Sequence, residues 1–161
     1  MGRMYFVVGA VLLSLGIIIG LLISCVIIKE DLLKTNKVLA EKSEINSMVY
    51  KWISNSIKGR AISQYLIEHG VYKIAIYGLG DLGELVLDEL IRDKICVECI
   101  IDRNADCLYT DIFTCKPDDH IPEVDAILVT PIQYFDAICF DLRNKVNCPI
   151  ISIADVIYSI Q

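Results

Sequence analysis

Histidine and tryptophan are scarce in this 161-residue chain: two of the first, His69 and His120, and a single Trp52. No Ser-His-Asp set and no metal cluster can be assembled from two histidines that have no histidine or cysteine partner at ligand spacing. His69 falls near a helix C-terminus, a favourable place for its charge, and His120 falls in a turn-rich loop. Cys96 and Cys99 form one C-x-x-C, but no second pair accompanies it. Positions i and i+3 of a strand point to opposite faces, so no zinc site and no metal cofactor is expected. Basic residues are also few: 15 Lys and Arg stand against 21 Asp and Glu, a net charge of −6. Without a basic stripe, nucleic acid is not an expected partner. Internal repeats and low-complexity tracts are missing as well.

Charge of either sign is absent from Met4 to Ile28. That stretch is roughly 37 Å long as a helix, enough to cross a bilayer with some tilt. We therefore expect residues 4–28 to be a transmembrane helix and the membrane to be a partner. Arg3 precedes the stretch, whereas Lys29, Lys34, Lys37 and Lys42 follow it. The positive-inside rule then predicts a single-pass cell-membrane protein with its C-terminal domain cytoplasmic. Leu22-Ile23-Ser24-Cys25 resembles a lipoprotein cleavage box, but Val26-Ile27-Ile28 continues the apolar run beyond it, which favours an uncleaved anchor. Gly16, Gly20 and Ser24 recur at every fourth position, a spacing that lets two helices approach in a homodimer. Small residues are also ordinary constituents of membrane spans. The remaining six cysteines, Cys96, Cys99, Cys107, Cys115, Cys139 and Cys148, mostly read as small core residues of a reducing compartment.

Residues 29–70 read as a juxtamembrane helical linker. Val38, Ile45, Val49 and Trp52 recur at helical spacing, the pattern weakens at Ser54-Asn55-Ser56 and Gly59, and a short helix follows over 60–69 with Gly70 at its C-cap. Trp52 is expected to pack against the globular domain.

The stretch that organises the rest, 71–161, begins with a short β-branched run, Lys73-Ile74-Ala75-Ile76-Tyr77. Gly78-Leu79-Gly80-Asp81-Leu82-Gly83 follows it at once, spaced G-x-G-x-x-G. Leu82, Leu85, Val86 and Leu90 then fall on one helical face. Cys96 to Ile101 reads as a second strand ending in Asp102, 19 residues beyond the last glycine. Strand, glycine loop, helix and strand-terminal acid in this order predict a Rossmann-like α/β unit, in which the glycines serve either dinucleotide binding or the fold alone. Gly78 permits the tight turn, Gly80 lets backbone approach a pyrophosphate, and Gly83 lets the helix pack near the strand. The helix N-terminus attracts an anion, although Asp81 and Glu84 in its first turn oppose one. Asp102 suits a ribose diol and favours NAD over NADP; Arg103 blunts that preference.

A weak strand is expected near Asp111–Cys115, with no room for a helix before it. Further strands are expected at 126–129 and 149–153, with a helix between them carrying Phe135, Ile138, Cys139, Leu142 and Val146 inward. A short helix over 154–160 closes the chain. The expected fold class is α/β, a Rossmann-like parallel sheet of about five strands in order 3-2-1-4-5 behind one N-terminal transmembrane helix. Ligand would sit at the C-terminal strand ends, against Gly78, Leu79, Gly80, Asp81, Leu82, Gly83, Asp102, Arg103, Thr130 and Pro131. The cofactor would be NAD or another nucleotide.

Ile76 to Leu85, together with Ile100-Ile101-Asp102, resembles the Rossmann-type domain of membrane-bound polysaccharide-biosynthesis proteins of the nucleoside-diphosphate-sugar epimerase/dehydratase type. It is also similar to the N-terminal module of sugar O-acyltransferases. The resemblance covers roughly residues 71–157 and implies nucleotide-sugar binding within surface-polysaccharide machinery, with glycosyltransferases or related enzymes as partners. The catalytic parts of those families are missing. Ile138 stands where a Tyr-x-x-x-Lys pair would place lysine after Tyr134, and His69 stands there after Tyr65. A hexapeptide-repeat domain is also absent. A non-catalytic binding module is the expected function. The alternative is a small NAD-dependent oxidoreductase or sugar-nucleotide-modifying subunit that borrows its substrate site from a partner.

Overall fold

The computed structural model describes residues 2–160, except for the side chains at 3–15, 17 and 18. The chain divides into two compact units, Met1–Ile45 and Asn46–Gln161. Helix α1 runs Gly2–Ile57. In the first unit, the Ser24 hydroxyl donates to the Gly20 carbonyl at 2.9 Å, and Lys37 lies 4.0 Å from Glu41 one turn on.

The expected membrane span over 4–28 is corrected here, and with it the assignment to the cell membrane with a cytoplasmic C-terminal domain. Among the described residues, no helix is long and apolar enough to cross a membrane. Residues 19–28 amount to about 15 Å of helix, half the thickness of a ~30 Å hydrocarbon core. Beyond them α1 meets Lys29, Glu30 and Asp31. The side chains at 4–15, 17 and 18, on which the rest of that expectation fell, lie outside the described residues.

The second unit is built on a five-stranded parallel sheet in the order β3-β2-β1-β4-β5, as the glycine loop and right-handed crossovers required. Its strands are β1 (Lys73–Tyr77), β2 (Cys96–Ile101), β3 (Thr114–Cys115), β4 (Ala126–Val129) and β5 (Ile150–Ser152). β1 is central, with Tyr77 in register with Ile101 on one side and Val129 on the other. Successive side chains of β1 enter opposite layers, as a doubly covered strand demands. Ile74 and Ile76 join a cluster with α2 (Ile62–Glu68), α3 (Asp81–Arg92) and α5 (Ile153–Ser159). Ala75 and Tyr77 join a second cluster with α4 (Phe135–Leu142). Met48 and Trp52, from the last turns of α1, are buried in the first cluster, as expected for Trp52.

Three local expectations change. The edge strand β3 is two residues long, and β2 reaches it through a 3-10 turn at Ala105–Cys107. A register shift between Ile74 and Ala75 bulges β2, so that Val97 and Cys99 contribute to opposite layers. Strict alternation therefore does not separate Cys96 from Cys99. Burial does, because Cys96 is exposed and Cys99 is fully buried. Cys107 is also exposed rather than a core residue. On α3, Leu85 turns outward and Glu89 turns inward. Glu89 is admitted because both its oxygens find donors: Oε2 accepts the Trp52 indole N–H and Oε1 the Ile62 backbone N–H, each at 2.7 Å.

Candidate functional site

The chain leaves β1 at Tyr77 and turns at Gly78, whose φ of +89° lies in the left-handed region that favours glycine. The Gly78 N–H donates to the Ile101 carbonyl at 2.8 Å, pinning the turn to the end of β2. A Cβ on Gly78 would stand 2.9 Å from Pro131 Cδ, and a Cβ on Gly83 would stand 2.2 Å from the Gly78 carbonyl oxygen. Both glycines are thus required by close approach within the fold. Gly80 is different. It adopts ordinary extended backbone (φ −82°, ψ −171°) and is exposed, and an added Cβ would meet nothing within 4 Å.

Gly80 is also the N-cap of the twelve-residue helix α3, and no side chain caps it. The first-turn N–H groups of such a helix have no acceptor within it and carry the positive end of its dipole. Asp81 and Glu84 stand exposed in that first turn, while Leu82 packs against the first core cluster.

Asp102 follows the last residue of β2. Its Oδ2 accepts the Leu79 N–H at 3.0 Å and its Oδ1 the Asn104 N–H at 2.8 Å. One carboxylate therefore ties the glycine loop to the turn after β2. Thr130, buried beyond β4, sends its hydroxyl to the Gly78 carbonyl at 2.7 Å, with the Tyr77 carbonyl at 3.2 Å. That donor holds the loop in place. Gly78, Leu79, Asp102 and Thr130 thus form one hydrogen-bonded assembly, with Gly83 and Pro131 close against Gly78.

Arg103 directly follows Asp102 in the chain and lines a neighbouring pocket. The pocket has a volume of 620 Å³ and is also lined by Tyr77, Lys116, Phe140, Asn144 and Lys145. Sequence reasoning missed the last five, because they come from segments with no shared periodicity. Lys145 Nζ donates to Asp118 Oδ1 at 2.6 Å and to the Pro117 carbonyl at 3.0 Å. Lys145 holds the Asp118 carboxyl below the usual carboxylate range. Asp106, hydrogen-bonded to Lys116, raises the Lys116 ammonium above its usual value. Among the described residues, no group of three or more His, Cys, Asp or Glu side chains is arranged to hold a metal ion. No family model, curated protein or solved structure matches the chain.

Proposed function

We propose that the glycine loop binds the diphosphate of a nucleotide or nucleotide sugar, and that the protein serves as a binding module rather than an enzyme. Gly80 carries the reading. Gly78 and Gly83 are explained by contacts inside the fold, whereas at 80 no packing contact asks for glycine and the fold supplies only an N-cap preference for it. An external group approaching the backbone there does ask for it, at the uncapped start of a helix, where a diphosphate gains most. Asp102 uses two of roughly four acceptor positions on its carboxylate to hold the loop, which leaves capacity for a ribose diol. The resemblance to nucleotide-sugar proteins makes UDP-sugars the first ligands to test, ahead of NAD, and polysaccharide-synthesising enzymes the first partners.

The test is calorimetric titration of the full chain with UDP-sugars, NAD, NADP and CoA. Binding below millimolar concentration is expected for at least one. Gly80→Val should remove that binding while the circular dichroism spectrum and melting temperature stay close to wild type. Retained binding in Gly80→Val, or no binding by the parent chain, sinks the proposal.

A further inference from the structure

The pocket beside the loop brings together three cations, alongside Asp118 and Asp141, in a chain whose net charge is −6. Arg103 reaches it from the end of β2, Lys116 from the end of β3 and Lys145 from beyond α4. Convergence from three segments is not a solvated charge run. Arg103 makes no hydrogen bond or ion pair among the described residues. Its five N–H donors remain free. Lys116 and Lys145 are positioned rather than free: Asp106 holds the first, and Asp118 with the Pro117 carbonyl holds the second. An ammonium has three donors. Two remain on Lys116 and one on Lys145. Asn144 adds an amide. Phe140 supplies an aromatic wall that is 63% exposed, with the Arg143 guanidinium 4.0 Å from its ring centre.

We infer that this pocket is a second binding site, separate from the glycine loop, and that it takes the phosphoryl group of a small molecule. A phosphate oxygen is the acceptor that a planar guanidinium and two ammonium groups share most strongly. Of the nearby acids, Asp106 and Asp118 are each engaged by a lysine, and Asp141 also lines the pocket. The volume lies within the range of small-molecule sites, roughly 300–1,000 Å³. Phe140 offers an apolar surface for an organic body attached to the phosphate. The site does not depend on the loop binding anything.

The experiment uses the full chain and two probes, inorganic phosphate and phenyl phosphate, followed by calorimetry and phosphorus NMR. Binding is expected for phenyl phosphate. Arg103→Gln removes a side chain with no partner in the fold, so the fold is retained and affinity drops about tenfold or more. Lys145→Gln gives a further loss, and Gly80→Val leaves affinity unchanged. Tighter binding of phenyl phosphate than of phosphate assigns the site to an organic ester; equal binding assigns it to the free anion. No binding of either probe, undiminished binding in Arg103→Gln, or loss of binding in Gly80→Val overturns the inference. The last result would place the anion at the loop instead.

Discussion

Glu89 and Trp52 meet inside the first core cluster, with the Trp52 indole N–H donating to Glu89 Oε2 at 2.7 Å. The other carboxylate oxygen takes the backbone N–H of Ile62, the first residue of α2. One side chain on α3 therefore fastens both α1 and α2 against the sheet. Removing it leaves two donors buried without acceptors. Glu89→Ala should cost about 3 kcal/mol, since each unsatisfied buried donor is worth ~1–3 kcal/mol. Urea unfolding followed by Trp52 fluorescence measures it, and an effect under about 1 kcal/mol would contradict the arrangement.

The glycines of the loop should separate by melting temperature. Gly83→Ala forces a methyl group to 2.2 Å from the Gly78 carbonyl, so helix and loop must move apart, at a cost of at least ~2 kcal/mol. Gly80→Ala enters open space and should cost about 0.5 kcal/mol or less, the small preference of an N-cap for glycine over alanine. Equal destabilisation by the two would show that the loop is packed differently.

Acid should loosen the unit through specific carboxylates. Backbone N–H groups of Tyr72 and Lys73 both donate to Asp125 and hold its carboxyl below the usual range. Arg92 and then Ser63 do the same for Asp93. A carboxyl with a depressed folded-state pKa contributes stability that is present above its unfolded value, about 3.9, and is lost as pH falls through the folded value. Stability should therefore fall as the pH drops below about 4, and Asp125→Asn should flatten that fall. A pH series of denaturant midpoints for the two proteins checks the sign.

The thiols should divide by burial. Burial pushes the Cys99 thiol up to about 12, and the Cys115 thiol rises for the same reason. The thiolate is the reactive form. Iodoacetamide at pH 8 should modify the exposed Cys96 and Cys107 in the native protein, and Cys99 and Cys115 only after denaturant is added. Mass mapping of the alkylated peptides decides it.

The strand order was legible because β1 and β4 are short β-branched runs and the glycines fix where β1 ends. β3 was less legible, since a two-residue edge strand carries almost no pattern. Helical periodicity places carboxylates outside, so it gave no sign of a Glu89 that Trp52 and Ile62 admit from distant parts of the chain. It also put Leu85 inside, where the structure turns it outward. At the loop, the positions of Asp102 and Thr130 could be read, but not that both spend hydrogen bonds on the loop itself. The charged pocket could not be read at all, because its cations are adjacent only once β1, β2, β3 and α4 are assembled.

The shortness of the outer strands limits polymerisation. The sheet ends in two residues on the β3 side and three on the β5 side. Pro117 follows β3 by one residue and Pro149 immediately precedes β5. A neighbouring chain that tried to add a strand would find only two or three open rungs at either border, and then a residue with no N–H to offer. Unfolding local to α1 or α2 would bare apolar side chains without presenting a strand edge, so clumping of damaged molecules should be amorphous rather than fibrillar.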